Sequence, residues 1–117
     1  MFATVIESAT AQVEVRVSPV DDIPLGLGRA FQIDGTEIAI FRSRDGTVHA
    51  VENRCPHRGG PLCDGIVAGG SVVCPLHAWK VKLDTGAVER PAAHAKCVAT
   101  YPTRIDNGVV MIELPNR

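Results

Sequence analysis

Residues 55–77 read CPHRGGPLCDGIVAGGSVVCPLH. This stretch opens with Cys55-Pro56-His57 and closes with Cys74-Pro75-Leu76-His77, with sixteen residues between the two pairs. Each pair offers one soft thiolate and one imidazole, the two side chains that transition metals share most often. Four cysteines occur in 117 residues, and no basic, apolar leader precedes them. Cysteines in a leaderless chain favour metal binding over a disulfide framework and make the cytoplasm the expected location.

The flanking sequence is β throughout. Gln12 to Ser18 alternates valines with polar residues, the period of a half-buried strand. Arg29–Asp34 and Thr36–Arg42 flank Asp34-Gly35, a strong hairpin turn, and Arg44-Asp45-Gly46 leads into a strand over Thr47–Asn53. Gly65–Val67 and Ser71–Cys74 form a short hairpin. Trp79–Leu83 is the next strand, with a turn at Asp84-Thr85-Gly86. Glu89–His94 reads as an irregular return. Ala95–Asp106 and Val109–Leu114 flank Asn107-Gly108, another two-residue turn. Residues 1–11 carry no clear period and are expected to fray. Many short strands and no sustained helical period predict an all-β sandwich or barrel in one domain.

Composition narrows the function classes. A net charge of -1 argues against non-specific nucleic-acid binding, and no apolar run reaches the length of a membrane helix. No glycine-rich strand-to-helix fingerprint for NAD(P)H occurs, nor is a two-histidine, one-carboxylate oxygenase site expected. The chain therefore predicts no catalytic residue of its own.

Two metal readings compete for Cys55, His57, Cys74 and His77. A single zinc ion accepts two cysteines and two histidines, but its ligand pairs are usually two to four residues apart. One proline between Cys55 and His57 strains to put both on one tetrahedral ion. Two irons relieve this, because each loop can give its cysteine to one iron and its histidine to the other. That is the ligand logic of a [2Fe–2S] centre with mixed cysteine and histidine ligation. Gly59 and Gly60 would let the backbone approach such a cluster closely. Cys63 and Cys97 fall at the wrong spacing and are expected to be small, packed thiols, Cys97 in the core. His49 and His94 lack a cysteine partner and are not expected to be ligands. Trp79 is expected to pack under the second loop, while Arg58 is balanced between a solvated charge and a docking contact.

CPHRGGPL and CPLHAWKVKLDTG resemble the Rieske [2Fe–2S] family. With Leu83-Asp84-Thr85-Gly86, Cys97-Val98-Ala99-Thr100-Tyr101-Pro102 and Asn107-Gly108, the chain is similar over about residues 12–115 to the small subunits of assimilatory NAD(P)H-dependent nitrite reductases. Rieske ferredoxins of aromatic-ring dioxygenases share most of the pattern. The resemblance implies an all-β Rieske (ISP-like) fold over 1–117, an antiparallel β-sandwich or barrel base with an inserted cluster-binding β subdomain. The base would be 12–46 and 93–115 and the insert 47–92. It implies one [2Fe–2S] cluster, with Cys55 and Cys74 on the inner iron and His57 and His77 on the outer one through Nδ1. The implied partner is a large flavin and sirohaem nitrite reductase subunit. The alternative is an oxygenase with its ferredoxin reductase, and a structural zinc module is the rival from another class. High-potential Rieske proteins carry a disulfide at the positions of Gly60 and Leu76, and a serine soon after the second histidine. Their absence here implies a low reduction potential.

Overall fold

A computed structural model describes residues 12–55, 59–76, 78–90 and 97–115. The expected fraying of 1–11 lies outside the described residues. No α-helix occurs among those described, and no helix is long and apolar enough to cross a membrane.

Among the described residues, three antiparallel sheets form. The first joins β1 (Gln12–Pro19), β11 (Val109–Pro115) and β10 (Thr103–Asp106), in that order. The second runs β2 (Gly28–Ile33), β3 (Thr36–Arg42), β4 (Val48–Glu52), β9 (Thr100–Tyr101). The third runs β5 (Ile66–Ala68), β6 (Ser71–Val73), β7 (Lys80–Lys82), β8 (Val88–Arg90). The whole third sheet lies in sequence between β4 and β9, which pair with each other. Val48–Glu52, inside the expected 47–92 insert, is thus paired into the second sheet.

The central strand β3 explains the packing. Its segment Ile38-Ala39-Ile40-Phe41 is fully buried on both faces, which is why it reads as a continuous apolar run. Ile38 and Ile40 join Val48, Ala50, Val110 and Ile112 in a core between the first and second sheets. Ala39 and Phe41 point the other way, into a second core with Val72, Val81 and Leu83 of the third-sheet region. That second core also contains Cys55, Leu62 and Cys74. The hairpin turns are as the sequence predicts: Asp34 and Gly35 have φ of 53° and 80°, and Asn107 and Gly108 have 54° and 81°. Two positive φ values in succession match the right-handed strand twist.

Three expectations are corrected. Ala95–Asp106 is not one strand. Pro102 has no N–H to donate, and the chain there changes sheets, with β9 bonded to β4 and β10 to β11. Glu89 and Arg90 belong to β8 and not to an irregular return, because a register shift lets Arg90 stand opposite Lys80. Cys97 is exposed and makes a single bridge to Ala87, so it is neither in a strand nor in the core.

Candidate metal centre

Two loops carry the cysteines, and they close in the same way. In the first, Cys55 N–H donates to the Gly60 carbonyl at 2.7 Å, and Gly59 N–H donates to the Cys55 carbonyl at 2.7 Å. In the second, Cys74 N–H donates to the Trp79 carbonyl at 2.8 Å, and Ala78 N–H donates to the Cys74 carbonyl at 3.0 Å. In both, the fifth residue bonds back to the cysteine carbonyl and the sixth receives the cysteine N–H. The fifth residue is left-handed in both, with φ of 76° at Gly59 and 60° at Ala78. Glycine takes that conformation without steric cost, whereas Ala78 does not. Gly59 N–H, a candidate donor toward a cluster from sequence, is thus used to close its own loop.

Sheet connections bring the loops together. The first follows β4, and the second joins β6 to β7. Cys55 and Cys74 are 3% and 2% exposed, within one apolar cluster that Cys63 and Trp79 pack against. The position a Cβ would take on Gly60 is 3.8 Å from Cys74 Sγ and 2.5 Å from Leu76 Cδ1. Gly60 is thus a bare backbone wedged between one cysteine sulfur and the Leu76 side chain. Leu62 is fully buried beside the cysteines, while Pro61 is exposed.

Asn53 was not singled out from sequence. It is buried, and its Oδ1 accepts the Cys63 N–H at 2.8 Å, tying the end of β4 to the short 3-10 turn Leu62–Asp64. Its only sequence signal is a polar side chain two residues before Cys55, which a strand ending would also explain. No disulfide joins any of the four cysteines. Cys63 is partly buried, and burial, with Asp64 nearby, pushes its thiol pKa up. A neutral thiol is a poor metal ligand.

His57 and His77 lie outside the described residues, as do Arg58 and His94. Among the described residues, no group of three His, Cys, Asp or Glu side chains converges as a metal site. Two buried thiols in an apolar setting, with a side-chain-free backbone against one sulfur, fit the cysteine side of an iron–sulfur cluster.

Residues 13–102 match the Rieske [2Fe–2S] domain. The chain belongs to the Rieske family. It is a Rieske electron-transfer protein, and the group this domain binds is a [2Fe–2S] cluster. The Rieske chain is 35% identical over 95 residues to a Ralstonia sp. ferredoxin component of naphthalene 1,2-dioxygenase/salicylate 5-hydroxylase systems. That match covers 80% of this chain and 88% of the relative. It is 37% identical over 89 residues to a 4beta-methylsterol monooxygenase of Methylococcus capsulatus, covering 67% of this chain but spanning only 23% of that protein. A solved Mycobacterium tuberculosis chain, provisionally assigned as an NADH-dependent nitrite reductase small subunit, is 30% identical with a TM-score of 0.78. That likeness covers 87% of this chain and 95% of the other.

Proposed function

We propose that Cys55 and Cys74 hold the inner iron of a Rieske cluster, His57 and His77 hold the outer one, and the chain is the electron-transfer small subunit of an NAD(P)H-dependent assimilatory nitrite reductase. The observation that carries the ligand assignment is the pair of identically closed loops, each presenting a buried cysteine into one apolar cluster. Each histidine follows its cysteine in sequence, two residues on at His57 and three at His77. The cluster, when bound, supplies one-electron storage, and the chain's own residues exclude water from its sulfurs and fix its orientation. Residues 54–90, between β4 and the end of β8, would form the cluster-binding unit, and the first two sheets the base.

The nitrite reductase reading is supported by the CPLHAWK, LDTG and CVATYP segments and by the near full-length likeness to the M. tuberculosis chain. A larger flavin and sirohaem subunit would then reduce nitrite, and this chain would pass it single electrons. A second reading has its own support. The Ralstonia ferredoxin component matches over 88% of its length at 35% identity, so a ring-hydroxylating oxygenase and its ferredoxin reductase are the alternative partners.

Electron paramagnetic resonance of the dithionite-reduced protein tests the ligand set. Mixed histidine and cysteine ligation is expected, and an all-cysteine signal or a colourless zinc-loaded protein would overturn it. Cys55→Ser and His77→Ala should each abolish the visible spectrum, and Cys63→Ser should leave it intact. Co-purification from the native host separates the partners: a sirohaem subunit supports the first reading and an oxygenase α-subunit the second.

A further inference from the structure

The outer face of the third sheet presents cations beside the second cysteine loop. Val72 and Val81 are fully buried, so strand alternation turns their neighbours Val73, Lys80 and Lys82 outward. Register places Ile66 opposite Val73, Val73 opposite Lys80, and Lys80 opposite Arg90, one row across all four strands. Its apolar end is open, with Ile66 62% exposed, and Arg90 at the other end is exposed. Lys82 stands in the next row, opposite Ser71. The first row abuts the metal centre directly. Val73 precedes Cys74, and Lys80 follows Trp79, whose carbonyl receives the Cys74 N–H.

Like charges placed directly opposite across a strand pair destabilise a sheet. Lys80 and Arg90 stand that way, and among the described residues neither they nor Lys82 makes a salt bridge. A carboxylate beside them, Glu89, accepts a 2.6 Å hydrogen bond from the buried Ser71 hydroxyl. That bond foremost, then the three cations, lowers the Glu89 pKa. The local charge stays positive. The same polarity holds across the chain. Residues 54–90 hold five cationic side chains against three carboxylates, while the rest of the chain holds seven against ten. In a molecule of net charge -1, the segment that carries the two cysteine loops is therefore the net positive one.

We infer that the row Ile66, Val73, Lys80 and Arg90, with Lys82, is a docking face for an acidic surface of the oxidoreductase with which the chain exchanges electrons. It rests on the Rieske electron-transfer reading and adds the charge of the partner. An apolar end beside a cationic end suits a transient contact: the cations steer the encounter, and Ile66 and Val73 supply apolar area to bury. An ammonium-bearing surface would instead attract the base and hold the cluster end away.

The test is voltammetry of the cluster-loaded chain on gold electrodes coated with carboxylate-terminated or ammonium-terminated monolayers. At low salt, electron exchange is expected to be at least about tenfold faster on the carboxylate, a gap that closes toward 1 M salt as screening shortens to about 3 Å. Substituting Lys80→Gln, Lys82→Gln and Arg90→Gln together should remove most of that advantage. The triple variant should unfold at the same or a higher temperature, because the Lys80–Arg90 repulsion is gone. Lys82→Gln alone should remove part of the advantage, and Arg16→Gln in the first sheet none. Equal rates on the two surfaces, a preference for ammonium, or an unchanged triple variant would overturn the docking face while leaving the cluster reading standing. A wild-type chain without the Rieske resonance signal would overturn that reading and this inference with it.

Discussion

Leu76 lies against the bare backbone of Gly60: a Cβ at position 60 would stand 2.5 Å from Leu76 Cδ1 and 3.8 Å from Cys74 Sγ. The two cysteine loops touch through this contact, and the chain has no disulfide to hold them.

Gly60→Ala should therefore push Leu76 aside. Leu76 is 55% exposed and free to swing outward, so the cost should sit at the low end of overpacking, about 1 kcal/mol. Thermal unfolding of the cluster-loaded protein should show the loss, together with faster bleaching of the visible absorbance. Gly60→Ala combined with Leu76→Ala should recover part of the stability, because the clash is removed. Additive losses in that double-mutant cycle would contradict a direct contact.

Ala78 carries a Cβ in a left-handed conformation that Gly59 occupies in the partner loop, with φ of 60° and 76°. The left-handed penalty for an L side chain is about 1–2 kcal/mol, and glycine gives back about 0.5–1 kcal/mol through its freer unfolded chain. Ala78→Gly is expected to raise stability by up to about 1 kcal/mol with the cluster spectrum unchanged. Gly59→Ala should lower it by a similar amount, and denaturant titration of both variants reads the two signs.

The four cysteines should differ in reactivity. Cys97 is exposed, whereas Cys63 is partly buried and its thiol pKa is raised by that burial first. A raised pKa means less thiolate at any pH below it, and the thiolate is the nucleophile. At pH 8, iodoacetamide should label Cys97 well before Cys63, and the cluster-loaded protein should spare Cys55 and Cys74. Peptide mass mapping that finds Cys63 labelled first would contradict this order.

The reduction potential should fall in the lower part of the Rieske range, on the order of -150 mV to 0. Ala78 and Trp79 follow the second histidine and bring no hydroxyl to the sulfurs. The N–H groups of Cys55, Gly59, Cys74 and Ala78 are used in loop closure. Fewer donors leave the reduced cluster less stabilised. A clearly positive midpoint at neutral pH would show that other donors compensate.

Residue chemistry and local spacing determined much about this protein. A one-residue gap between Cys55 and His57 disfavours a single ion, and Asp34-Gly35 and Asn107-Gly108 set hairpins because their turns are local backbone events. Alternation and turn spacing likewise made the all-β class legible. What tertiary structure decided are the long-range matters. β3 buries both faces because sheets lie on either side of it, and a single apolar run does not reveal which side each residue takes. Cys97 reads as the core residue that begins a late strand, yet it makes an isolated bridge to Ala87 and its thiol is exposed. Gly60 and Leu76 are sixteen positions apart, and only the third sheet, which turns the second loop back onto the first, puts one against the other. Side-chain identity and near-neighbour spacing fixed which residues could bind a metal. Contacts that depend on how sheets stack could be fixed only by the fold, because their free energy comes from burial between distant segments.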